Sequence, residues 1–451
     1  MSDVLEGGRP GRPRRPLPLA LRAVFIAVVG VVVGGLVLLF VRPGSPGNSA
    51  KPDPTPSVPP SQSALPTASA QLSPSQPADG GVVGEKSAPW PSASGACGSF
   101  AFLPIGEFAT QLPTQFTATN GRFLVGGSQL WQVGVSAAAG VAPPAPIKGL
   151  PKTKTTMVTA LVSSPDGEFA LISSCDNFAA HVVYRITGTS STRLDITGID
   201  GLVGGVHHTW AVGDATPVAP STAPTTRPSQ RITPLGGGRA LVLQPNAYLF
   251  ADVAAGLIVV VSDPVDDESV PLIELVDPAT AGAVKPLLAA FPVAAQGNTL
   301  LVEPAACGID SACTLLRVDL ATGRLAGSFL LPKGRLPTSG VVFSADGRRA
   351  AFQLSQAHPD QRFTTGDPFA PSDVAVLDLV TGNLSYVSNF ELAPKTSAGL
   401  AFDDTARSLF IAVNQGSRSD VLVWQEGMPT PAFVTSLPGA LAGPVSMLAR
   451  S

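Results

Sequence analysis

The side chains that most readily do chemistry are few and scattered in this chain of 451 residues. There are four histidines, His181, His207, His208 and His358. His181, His207 and His208 have no metal-type ligand at i+2 or i+4, and His358 has only Asp360 at i+2. His207 and His208 are adjacent, and on a strand two adjacent side chains point to opposite faces, so they do not share one metal ion. His358 falls in a polar stretch with Asp360, Arg362 and Asp367 and reads as part of a solvated loop. The acidic run Asp263-Pro-Val-Asp-Asp-Glu268 lacks the alternate spacing of a calcium loop and reads as a hairpin tip. No G-x-S-x-G nucleophile elbow occurs. Gly126-Gly127-Ser128 and Gly236-Gly237-Gly238 lack the Lys-Ser/Thr of a phosphate loop and read as tight β turns. The sequence therefore offers no catalytic residue, no metal ligand set and no cofactor site.

The four cysteines, Cys97, Cys175, Cys307 and Cys313, are an even set of the kind that makes disulfides outside the cytoplasm. Cys307-Gly-Ile-Asp-Ser-Ala-Cys313 is a short polar loop between apolar runs. A bridge across it is the simplest pairing and leaves Cys97 with Cys175; three pairings are open in principle. C-x5-C is not a zinc spacing, and no histidine is near it.

These residues are carried by a pattern of short strands. Apolar alternating runs such as MVTALVSS, HVVYRIT, GLIVVVS, TLLRVDL, DVAVLDL and DVLVWQE recur between Gly, Asp, Pro and Ser turns. Two turn motifs alternate among them. Ser164-Pro-Asp-Gly167 and Ser344-Ala-Asp-Gly347 each precede a strand, with Phe402-Asp-Asp-Thr405 as a degenerate copy. Their aspartates read as turn residues, and Asp-Gly supplies the positive φ that reverses the chain. The second motif closes a strand: Val276-Asp-Pro-Ala-Thr280, Val318-Asp-Leu-Ala-Thr-Gly323 and Leu377-Asp-Leu-Val-Thr-Gly382. Asp319 to Asp346 is 27 residues and Asp378 to Asp404 is 26, so the two motifs keep a register. The extra length between Asp319 and Asp378 sits in a polar insert, Gln356–Ser372. Trp131, Trp210 and Trp424 lie in strand-like contexts and are expected in the core.

S-x-D-G followed by a strand that ends D-L-x-T-G resembles the blade repeat of TolB-type and related WD-repeat-like β-propellers. Residues 164–172, 318–323, 344–352 and 377–382 carry the resemblance. It implies an all-β propeller of four-stranded blades around a channel. About seven blades are expected, near 100–150, 155–198, 200–245, 246–290, 292–335, 338–392 and 396–440. A last strand at Val445–Ala449 is expected to pair near Cys97–Leu103 and close the ring, removing exposed sheet edges. The repeat speaks for architecture and not for function.

Ahead of this domain, residues 19–41 form one apolar run, without a charge from Ala23 to Val41. As a helix that stretch rises about 28 Å, close to the roughly 30 Å core of a bilayer. Arg9, Arg12, Arg14 and Arg15 precede it, which keeps the 1–18 tail cytoplasmic and sends the rest outside. The run is longer than a signal peptide's and lacks a good Ala-x-Ala site, so it is expected to be a retained single-pass anchor. Residues 42–95 are rich in Pro, Ser and Ala and read as a disordered, semi-stiff tether. Asp214–Pro234 has the same composition and reads as a disordered loop in the 96–451 domain. With a net charge of -3 and 14% charged residues there is no basic stripe for nucleic acid. The reading that results is a membrane-anchored extracytoplasmic propeller that binds a protein, peptide or glycan. The alternative is a propeller enzyme of lyase or lactonase type, with its site in the channel.

Overall fold

The computed structural model describes residues 105–106 and 121–450, leaving 128, 137–139, 152–155, 175–180, 216–228, 263–268, 280–283, 305–308, 339, 359–364, 368–369, 395–396, 415–417 and 439–445 outside the description. The apolar run at 19–41, the tether at 42–95, Cys97, Cys175, Cys307 and the acidic run at 263–268 therefore lie outside the described residues. Among the described residues no helix is long and apolar enough to cross a membrane.

Every described element is a strand, and the strands form seven antiparallel sheets. They are the blades of a seven-bladed β-propeller. Blade 2 shows the pattern: Thr156–Ser164 lines the channel, followed outward by Gly167–Ser174, His181–Thr187 and Ser190–Arg193. Blade 3 (Gly201–Gly204 to Leu241–Val242), blade 4 (Ala247–Val253 to Val284–Ala289), blade 5 (Phe291–Gln296 to Arg324–Leu330) and blade 7 (Gly399–Phe402 to Ala432–Pro438) repeat it. In blade 6 the inner strand is split into Arg335–Pro337 and Val342–Phe343, both pairing with Arg349–Gln356. Its outer strand, Leu384–Leu392, takes an extra partner, Ile105–Gly106.

The second strand of each blade explains the long apolar runs. Successive side chains go to opposite faces, and both faces are covered by neighbouring blades, so the run has no polar side. In Ser408–Asn414 every residue is buried. Phe410 enters the cluster shared with blade 1 and Ile411 the cluster shared with blade 6. Leu257 and Ile258 divide in the same way between blades 3 and 5. The core is thus seven clusters, one in each gap between blades. Trp131, Trp210 and Trp424 are buried in it, as expected.

The strand-closing motif forms the turn that its sequence implies. The Asp319 carboxylate accepts from the Ala321 N–H (3.0 Å) and the Thr322 hydroxyl (3.0 Å), and Gly323 has φ 67°. Asp378 accepts from Val380 and Thr381 N–H (both 2.8 Å), and Gly382 has φ 79°.

Two expectations are corrected. The ring closes through the C-terminal strand Ser446–Arg450, but its partner is Gly121–Gly126 rather than residues near Cys97. Gly121–Gly126 carries the apolar register that a second strand needs, with Phe123, Leu124 and Val125 fully buried. The tract at 214–234 is not all loop. Asp214 ends one strand of blade 3, and Gln230–Pro234 is the next, with Trp210 opposite Pro234 and Val212 opposite Ile232. Ile232 is fully buried, and that burial outweighs a composition that otherwise reads as polar linker.

Candidate functional site: the channel mouth

The hairpins joining first to second strands all lie on one face, where the channel opens as a cavity of about 1130 Å³. Asp166, Asp252, Asp346 and Asp403 stand at or beside these hairpins, in blades 2, 4, 6 and 7.

Asp346 behaves as a turn residue. The Ser344 hydroxyl donates to it at 2.6 Å and the Arg348 N–H at 3.1 Å. Against the upward push of burial, these bonds and the charges of Arg348 and Arg349 hold its carboxyl below the ordinary range. Asp403 is likewise satisfied in its own hairpin, by the Thr405 hydroxyl (2.8 Å) and the N–H groups of Arg407 (2.9 Å) and Ser408 (3.1 Å).

Asp166 and Asp252 do something the sequence did not suggest. The hairpin of blade 3 carries His207 and His208, and it is held from both sides. Asp166 of blade 2 accepts from the Thr209 N–H at 2.9 Å and lies 3.2 Å from His208 Nδ1. Asp252 of blade 4 lies 2.6 Å from His207 Nδ1. It also accepts from the N–H groups of His207 (3.2 Å) and His208 (2.8 Å) and from Trp210 Nε1 (2.9 Å). The Asp252 side chain is fully buried. Glycine makes both approaches possible: a Cβ at Gly205 would overlap Asp252, and one at Gly236 would overlap Asp166. The two histidines sit in the hairpin turn rather than on a strand, and each imidazole is tied to a different blade. The one signal in the sequence is the pair itself, set just after Gly204-Gly205.

A third cross-blade tie closes the ring. Arg450 on the inner strand of blade 1 donates through Nε to Glu168 of blade 2 at 2.7 Å and through a terminal nitrogen to the Gly188 carbonyl at 2.9 Å. The charged groups around the mouth are therefore largely spent on joining blades 1 to 2, 2 to 3 and 3 to 4. Apart from the exposed Arg122 and Asp404, what remains on the channel wall is largely apolar or backbone, including Leu161, Val206 and Phe343. Each inner strand ends its sheet, so its channel-side edge has no strand partner.

The far ends of the blades hold two further polar groups. Ser173 Oγ lies 2.6 Å from His181 Nδ1 and 2.9 Å from the Thr159 hydroxyl. Burial pulls the His181 pKa down, and Asp200 pulls it back up. Ser173 is fully buried and His181 is part-exposed. Glu303 in blade 5 is 1% exposed with neither carboxylate oxygen hydrogen-bonded, and burial pushes its pKa up to about 8. His358 bonds through its N–H to the Thr365 carbonyl, within an insert folded back on blade 6. Among the described residues no three His, Cys, Asp or Glu side chains are grouped to hold a metal ion. Cys313 is buried in the cluster between blades 5 and 6.

No family model matches the chain, and no curated protein matches it. Solved structures do. TolB from Acinetobacter baumannii is 14% identical over 73% of this chain and 66% of its own length, with a TM-score of 0.37. The periplasmic gluconolactonase PpgL of Pseudomonas aeruginosa is 14% identical over 74% of this chain and 99% of its own, with a TM-score of 0.45. Prolyl oligopeptidase B of Galerina marginata is 9% identical over 69% of this chain and 48% of its own, with a TM-score of 0.43. At these identities the likeness concerns the fold alone.

Proposed function

We propose that the chain is a membrane-anchored, extracytoplasmic binding module whose propeller receives a protein, peptide or glycan partner at the channel mouth. The observation that carries this reading is the spending of the mouth's charges. His207, His208, Asp166, Asp252, Glu168 and Arg450 bind one another across blades, leaving an open channel whose walls are largely apolar and backbone, with Arg122 and Asp404 as its exposed charges. Such a surface suits recognition by shape and backbone hydrogen bonding. The apolar run at 19–41, with arginines before it, would anchor the chain, and the tether at 42–95 would hold the propeller off the membrane. Disulfides Cys307–Cys313 and Cys97–Cys175 fit an oxidising compartment; peptide mapping without reductant tests that pairing.

A photo-crosslinking residue at Val206 in the channel, compared with one at Leu325 on the outer rim, tests the binding reading. Val206 is expected to trap a defined partner and Leu325 none. Equal or absent crosslinking from both positions would sink the proposal.

A second reading, a lyase- or lactonase-type enzyme, draws support from the His207–Asp252 pair, since a buried carboxylate on one imidazole nitrogen is how proteins orient a general base. Turnover of a lactone panel that disappears in His207→Gln while the melting temperature holds would favour it.

A further inference from the structure

We propose that the channel mouth anchors the free C-terminal carboxylate of an extended peptide on Arg122. This inference rests on the binding reading above and names the chemistry of what is bound. Arg122 lies on the strand Gly121–Gly126, lines the channel and is exposed. It stands directly across the strand pair from Arg450. Glu168 takes the Arg450 guanidinium, and that neutralises one of the two charges. Arg122 has no side-chain hydrogen bond or ion pair among the described residues. Of the carboxylates that line the channel with it, Asp252 and Asp403 are buried and turned to their own donors, while Asp404 is exposed in the blade 7 hairpin and makes no ion pair with Arg122. One cation therefore faces the channel with its donor fork unused.

A guanidinium fork matches a carboxylate by two parallel hydrogen bonds, and that fit is stronger and more directional than a single charge. The lining it shares is partly apolar, with Leu161, Val206 and Phe343 exposed enough to meet a hydrophobic side chain. The channel-side edges of the inner strands offer backbone N–H and C=O groups spaced for an extended chain. A cavity of about 1130 Å³ has room for several residues. Anion anchor, apolar wall and strand edges are together complementary to the last residues of a peptide.

The full-length chain in detergent is titrated with acetylated tripeptides ending in Leu, Phe or Ala, each as the free acid and as the C-terminal amide. Arg122→Gln and Val206→Trp are titrated alongside. The acids are expected to bind at least tenfold more tightly than the amides. Arg122→Gln should erase that preference without moving the melting temperature, and Val206→Trp should weaken both forms. Equal binding of acid and amide that is lost in Val206→Trp overturns the Arg122 anchor and leaves channel binding standing. An acid preference that survives in Arg122→Gln also overturns it. No binding of either form overturns the peptide proposal, while the binding reading stands or falls on the Val206 crosslink.

Discussion

In blade 6 the hairpin Ser344-Ala-Asp-Gly347 closes on itself, whereas in blade 2 the same pattern, Ser164-Pro-Asp-Gly167, reaches into the neighbouring blade. Ser344 and Asp346 bond each other and the N–H groups that follow them. Ser164 accepts from the Asp166 N–H and from the hydroxyl of Thr209 in blade 3, and Asp166 turns outward to Thr209 and His208. The difference lies in what the next blade presents. Blade 3 offers an N–H, a hydroxyl and an imidazole, with Gly236 leaving room for the carboxylate. Blade 7 offers Asp403, whose acceptors are already taken up by its own turn. One short motif therefore yields a local turn or an inter-blade tie, and its neighbour chooses which.

Asp252 is the extreme of the tying kind, and removing it should have the largest effect. Asp252→Ala leaves the Trp210 Nε1–H, two backbone N–H groups and His207 without their acceptor. A loss of about 3–5 kcal/mol is expected from urea denaturation. A loss under about 1 kcal/mol would show that the tie is incidental.

Glu303 is a carboxyl of neither kind, with no hydrogen-bond partner among the described residues. Its folded pKa, about 8, lies above the ordinary carboxylate value. The folded state thus keeps a proton that the unfolded state has lost. This contribution to stability is whole below the unfolded pKa, declines as pH rises through the window, and is gone above about 8, at a slope of at most about 1.4 kcal/mol per pH unit. Glu303→Gln should flatten that decline; an unchanged pH profile of the melting temperature would refute the buried neutral form.

Asp166→Ala should cost about 1–3 kcal/mol, and Gly236→Ala, by displacing the Asp166 carboxylate, should reproduce much of that loss. A double-mutant cycle of Asp166 with His208 is expected to give a coupling of about 1 kcal/mol, against none for Asp346 with His208. Asp346→Ala is expected to cost least, about 1 kcal/mol, because only its own turn loses bonds. Equal couplings in the two cycles would erase the distinction between the hairpins.

Much of the fold was legible because its signals are local. The Asp346-Gly347 and Asp-x-x-Thr-Gly turns are satisfied within five residues, and burial on both faces wrote the second strands as unbroken apolar runs. The blade boundaries follow from those two features. The outer strand Gln230–Pro234 was masked by a Pro- and Thr-rich composition, although Ile232 holds it in the core. The site was barely legible. His208 and Asp166 are 42 residues apart, and His207 and Asp252 are 45 apart, so no spacing rule within a turn or strand connects them.

By itself the sequence determined that the domain is built of antiparallel four-stranded units with defined turns, since propensity, alternation and turn chemistry act between residues close in the chain. The tertiary structure decided which strand closes the ring, which carboxylate reaches which histidine, and that Arg122 lines the channel without a side-chain partner among the described residues. Those outcomes depend on what stands across a gap between blades. In a ring that is set by closure of the whole circle, and the pairs it makes are remote in sequence.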